Sequence, residues 1–203
     1  MQKGMTMVRE EDIARTVERA VSARRFRHIR AVADLAGALA SAHGRDAEQA
    51  RRAALLHDYA RERSLTQLLR DAEELRLPIS DYERRNPGYL HGPLAAALAA
   101  REFDLDPESC AAIAGHTTGR EGMGELELIL FVADHAAEGR KGPNADRWRH
   151  EARADLELVA REMMDAQLVD SVREGWSIHP HLVEARNDLL DRLAGRAGGS
   201  SLS

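Results

Sequence analysis

The sequence predicts an all-α protein. Apolar residues recur at helical spacing almost throughout, Ala and Leu are abundant while aromatic residues reach only 4%, and no segment reads convincingly as a strand. Residues 25–42 form the first expected core helix, with Val32, Leu35 and Leu39 on one face. A turn at His43-Gly44 leads to a second, over 47–58, marked by Ala47, Ala50, Ala53 and Ala54. Two shorter helices follow at 65–75 and 80–85. His91-Gly92-Pro93 then opens an Ala/Leu helix with Pro93 in its first turn. Asp106-Pro107 reads as an N-cap followed by proline at N1, starting a helix that stops near Gly119. Residues 126–134 are apolar on nearly every side, as a buried helix requires. Residues 139–144 break the chain before two long helices, expected over 146–172 and 181–193.

This pattern fits one core domain, residues 22–194, preceded by a helical or flexible extension over 1–21. A Gly/Ser-rich tail over 195–203 reads as disordered. The net charge is −5, with Arg and Glu interspersed. No basic stripe marks a nucleic-acid footprint, although a pocket can be locally positive on an acidic protein. No apolar run is long enough to span a bilayer, and residues 1–11 lack a signal-peptide core. Cys110 is the single cysteine; it cannot form an intramolecular disulfide and reads as a buried structural thiol. Together these features point to a cytoplasmic protein without membrane or nucleic-acid partners.

Nine histidines are present, so position decides among them. His43, in a turn, and His150, in a charged helix, read as facing solvent. His28 shares a helix face with Val32, Leu35 and Leu39, and Arg25 lies one turn earlier on that face. His57 continues the stripe of Ala50, Ala53 and Ala54, and Asp58 follows next to apolar Leu55-Leu56. Asp134 ends the buried run. A carboxylate at the edge of a core is costly unless it is paired or bound to metal, so a buried ion pair and a metal site are both open here. Two imidazoles and two carboxylates suit a borderline divalent metal such as Fe, Mn, Co, Ni or Zn, and the absence of thiolates argues against a structural zinc.

The order His28, His57-Asp58, Asp134, all on helices, resembles the HD-domain superfamily of metal-dependent phosphohydrolases. The blocks Arg25-Phe26-Arg27-His28, Ala54-Leu55-Leu56-His57-Asp58-Tyr59-Ala60, Leu90-His91-Gly92-Pro93, His116-Thr117-Thr118-Gly119-Arg120, Ile178-His179-Pro180 and Glu184-Ala185-Arg186-Asn187 resemble the YqeK family within it. The resemblance spans residues of about 22 to 190 and implies an HD helical bundle with additional C-terminal helices. It also implies symmetrical cleavage of diadenosine tetraphosphate into two ADP by metal-activated water, with iron as the usual metal.

Carried over by position, His28, His57, Asp58 and Asp134 match the metal ligands. Asp58, His91 and His116 match catalytic positions, the two histidines contacting phosphate or helping to hold a second metal. Arg25, Arg61, Thr117, Thr118, Arg140, Ile178, His179 and Pro180 match positions around the nucleotide. The implied partner is a small dinucleoside polyphosphate, and a homodimer is compatible with the resemblance. The chain departs from the family after Asp134: Ala133-Asp134-His135-Ala136-Ala137-Glu138-Gly139-Arg140 keeps the Asp and the terminal Arg but not the Tyr, Ile, Glu and Pro usual between them. Arg61 stands where Lys is common, which preserves charge and changes donor geometry. Two other readings remain: an HD phosphohydrolase of deoxynucleoside mono- or triphosphates or cyclic dinucleotides, and a non-catalytic nucleotide-binding HD module.

Overall fold

The computed structural model describes residues 8–139 and 144–199, and these contain helices and no strand. In chain order the α-helices are α1 (Glu10–Ala20), α2 (Ala23–Ala42), α3 (Ala47–Leu56), α4 (Leu65–Glu74), α5 (Asp81–Arg85), α6 (His91–Phe103), α7 (Pro107–Gly115), α8 (Glu125–Ala136), α9 (Ala145–Glu151), α10 (Leu156–Glu174) and α11 (Pro180–Gly199). A 3-10 turn, Pro87–Leu90, precedes α6. No described helix is long and apolar enough to cross a membrane.

Local signals place most boundaries. Asp46 caps α3 by accepting from the Glu48 and Gln49 amides, Asp106 caps α7 by accepting from Ser109 N, and Ser64 and Ser80 form capping boxes with Gln67 and Glu83. Each cap satisfies donors that the helix cannot pair internally. The expected single helix over 146–172 is instead two, α9 and α10, separated at residues 152–155. Asp155 leaves helical geometry (φ −148°, ψ 95°) and its side chain accepts from Leu158 N. An aspartate satisfies this first-turn amide more effectively as a cap than as an interior helical residue. Helix α1 also extends the core, burying Ile13, Ala14 and Val17 against α3.

The centre is α2, α3, α6, α7 and α8, packed through Ala36, Ala40, Ala50, Ala53, Ala54, Ala95, Ala99, Ala112 and Ala133, all buried. Such small side chains let helix axes approach closely. Helix α7 comes close to the backbone of α6 at Gly92, where an added Cβ would stand 2.9 Å from the Ala114 carbonyl and 3.3 Å from Nδ1 of His116. Helices α10 and α11 pack on each other, and α10 packs on the buried α8. Cys110 of α7 is half-buried, directs its thiol to the Leu105 carbonyl at 3.5 Å, and has its pKa raised by burial, as suits a structural thiol.

Candidate metal centre and its cavities

Five helices deliver the site. Helix α2 carries Arg25 and His28 in its first two turns, and α3 ends so that His57 is its C-cap and Asp58 lies just beyond. His91 opens α6, His116 caps α7, and Asp134 lies in the last turn of α8. Nε2 of His28 stands 2.9 Å from Asp134 Oδ1 and 3.9 Å from Asp58 Oδ2. Nε2 of His57 stands 3.4 Å from Asp58 Oδ2 and 3.7 Å from Asp134 Oδ1. Metal ligands about 2.1 Å from an ion lie roughly 3 to 3.4 Å from one another, so this spacing suits a shared cation.

The donors themselves fit that role. Nε2 of His28 and of His57 are both buried and make no hydrogen bond, a costly state for two imidazoles unless an ion takes their lone pairs. In His57, Nδ1 lies 2.6 Å from the Ala54 carbonyl, and as donor there it leaves Nε2 as the free acceptor. His91 and His116 repeat the arrangement: their Nδ1 atoms lie 2.6 Å from Gly88 O and 2.8 Å from Ile113 O. Burial sets the charges next. It lowers the pKa of His91 to about 4 despite Asp58, and of His116 to about 3 with help from His91 and His57. Burial also acts on Asp58 and His57, but there their mutual attraction prevails, holding Asp58 far below the carboxylate range and raising His57.

Asp58 divides the site. Its Oδ2 receives Arg25 Nη1 at 2.8 Å and faces His28 and His57. Its Oδ1 faces Nε2 of His91 at 3.5 Å and of His116 at 3.8 Å. Beyond those histidines are two cavities that share Tyr89 and Thr117. One, of about 440 Å³, is lined by Arg61, Arg85 and His91; the other, of about 190 Å³, by Thr118, Gly119, Glu83 and His179. The rings of Tyr82, Tyr89 and His181 surround that of His179 at centroid distances of 4.9, 5.0 and 4.8 Å.

The structure thus brings together His28, His57, Asp58, Asp134, His91, His116, Thr117 and Arg25, and places Arg61, Thr118 and His179 along the cavities. Ile178 is half-buried against the core and Pro180 is exposed at the start of α11. Arg140 lies outside the described residues. Sequence reasoning missed Tyr82 and Tyr89; the position of Tyr89 two residues before His91 was the available signal. His43, expected in solvent, is largely covered, with Nε2 2.7 Å from the Ala152 carbonyl, because α9 ends over the α2–α3 turn.

Fold and donor set define a class: the chain belongs to the HD-domain family, whose sequence model matches residues 25–193, and it is an HD-domain hydrolase of the YqeK type. Its relatives narrow the group. It is 31% identical to the symmetrical bis(5'-nucleosyl)-tetraphosphatase of Bacillus subtilis, over 86% of this chain and 93% of that protein. The Staphylococcus aureus protein of the same name is also 31% identical, over 87% and 92%. A crystal structure from Clostridium acetobutylicum, described as a predicted HD superfamily hydrolase involved in NAD metabolism, superposes with a TM-score of 0.88 at 30% identity, covering 92% of this chain and 99% of that one.

Proposed function

We propose that the protein hydrolyses diadenosine tetraphosphate symmetrically to two ADP, using a divalent metal, iron by the family resemblance, held by His28, His57, Asp58 and Asp134. The observation that carries this reading is the pair of buried, unsatisfied Nε2 atoms of His28 and His57 beside the carboxylates of Asp58 and Asp134. The activity named for the relatives supports the choice of substrate. Held by these residues, a divalent metal would supply Lewis acidity and lower the pKa of water.

The side chains do the rest. Asp58 is ionised across the working pH range, so it orients the attacking water by accepting a hydrogen bond; a carboxylate this acidic is a weak base. Arg25 and Arg61 hold phosphate oxygens by charge-assisted hydrogen bonds, and the Thr117 and Thr118 hydroxyls and the Gly119 backbone add polar groups along the wall. The rings around His179 form an apolar nest suited to stacking a base.

A second cation near His91 and His116 is a further part of the proposal, favoured by one contact. Their Nε2 atoms face each other at 3.1 Å, and with both Nδ1 atoms facing carbonyls, both are acceptors. Thr117 Oγ1, 3.1 Å from one and 3.3 Å from the other, can donate to only one of them. His91, His116 and Asp58 would hold such a cation and so satisfy both lone pairs, whereas an anionic phosphate oxygen placed there would meet their repulsion.

The test is to purify the protein, measure its metal content and analyse the products from diadenosine tetraphosphate beside a panel of other nucleotides. ADP as sole product is expected, and His57→Ala/Asp58→Ala should lose both metal and turnover. ATP plus AMP, or preferred turnover of a mononucleotide or cyclic dinucleotide, would sink the assignment.

A further inference from the structure

A groove of about 400 Å³ is lined by Arg24, Arg25, Arg27, His28, Glu138 and Gly139. It shares no lining residue with the two cavities beyond His91 and His116, yet it reaches the same carboxylate. Arg25 bonds Asp58 Oδ2, while His91 and His116 face Oδ1. The candidate metal ligands therefore stand between two separate basins.

The charge of the groove is one-sided. Glu138 is the one acid among its described lining residues. Arg25 is committed to Asp58, but Arg24 and Arg27 are exposed and make no hydrogen bond or ion pair with any described residue. Guanidinium groups gathered in one groove repel one another, and an anion relieves that repulsion while matching their planar donor geometry. Arg24 and Arg27 lie one turn apart on α2 and flank Arg25, so they reach into the groove together.

Symmetrical cleavage sets a matching demand. Each half of the substrate carries two phosphates, and the bond that breaks lies between the halves. One half on the His91–His179 side leaves the other to be held across Asp58. Resting on the reading above, we propose that the Arg24/Arg25/Arg27 groove is the subsite for the second nucleoside diphosphate half. Arg24 and Arg27 act there as specificity-determining residues that bind its phosphates. Engagement of both basins places the scissile bond at the ligand cluster and selects a substrate with two phosphates on each side.

Titration calorimetry with ADP decides the question, using wild type and Arg24→Ala/Arg27→Ala, both as purified. Wild type is expected to bind two ADP per chain and the double variant one, with its melting temperature unchanged because both side chains are exposed. KM for diadenosine tetraphosphate should rise about tenfold, with kcat nearly constant. Arg24→Lys/Arg27→Lys should recover part of the loss. Wild type binding a single ADP, or a double variant that keeps both sites and its KM, overturns the proposal. Wild type without turnover of diadenosine tetraphosphate defeats the proposed activity instead, while a fall from two ADP to one still supports the groove as a nucleotide subsite.

Discussion

His57, His91 and His116 each have Nδ1 within hydrogen-bonding distance of the carbonyl three residues earlier, and that contact does two jobs. It turns the ring so that Nε2 points inward, and it selects the tautomer in which Nε2 is the acceptor. The consequence is measurable in metal-free protein. The folded pKa of His116, about 3, lies below the ordinary imidazole value of 6.5. Between those values the unfolded chain binds the proton and the folded one does not. This contribution is therefore intact above pH 6.5, falls with pH below it, and levels off near pH 3. His116→Gln should flatten the dependence of the urea midpoint, removing about 2–3 kcal/mol of the stability difference between pH 7.5 and 4.5. Parallel pH profiles for variant and wild type would contradict a neutral buried His116.

At the scale of elements, the contact between α6 and α7 sets the approach of His91 to His116. Gly92 permits it, since a Cβ there would meet backbone oxygens at 2.9 Å (Ala114) and 3.1 Å (Ile113), and backbone cannot yield as a flexible side chain can. Gly92→Ala is expected to destabilise the fold by about 1–3 kcal/mol through overpacking. It should also separate the two imidazoles, lowering turnover beyond what stability explains; chemical denaturation and kinetics of the folded variant check both. The motif His91-Gly92-Pro93 was legible in the sequence, and Pro93 marked the first turn of α6. The need for glycine was not, because it arises from α7, more than twenty residues away. Likewise the break at residues 152–155 escaped the apolar periodicity, which continues through it, and Asp155 was its one local sign.

For the whole molecule, the candidate metal joins elements that are far apart in the chain. His28, His57-Asp58 and Asp134 come from α2, the end of α3 and α8. An ion that binds the folded chain alone stabilises all three together. Chelation is expected to lower the melting temperature by several degrees, about 2–4 °C for each kcal/mol at this chain length, and ferrous iron should restore it. The His57→Ala/Asp58→Ala variant should show no such response. An unchanged melting curve in wild type after verified metal removal would exclude a stabilising ion at this site.

The sequence by itself determined that the protein is helical, where most helices start, and which polar residues lie on inward faces. Helical periodicity and capping act over a few neighbouring residues, so they can be read locally. It also supplied His28, His57, Asp58 and Asp134 as candidates, since carboxylates beside buried runs require a partner. Only the tertiary structure decided that two Nε2 atoms converge without a hydrogen-bond partner, that Tyr82 and Tyr89 enclose His179, and that Asp58 separates a histidine-lined basin from an arginine groove. Those features depend on the relative placement of helices far apart in the chain. Long-range packing fixes that placement, and no local pattern encodes it.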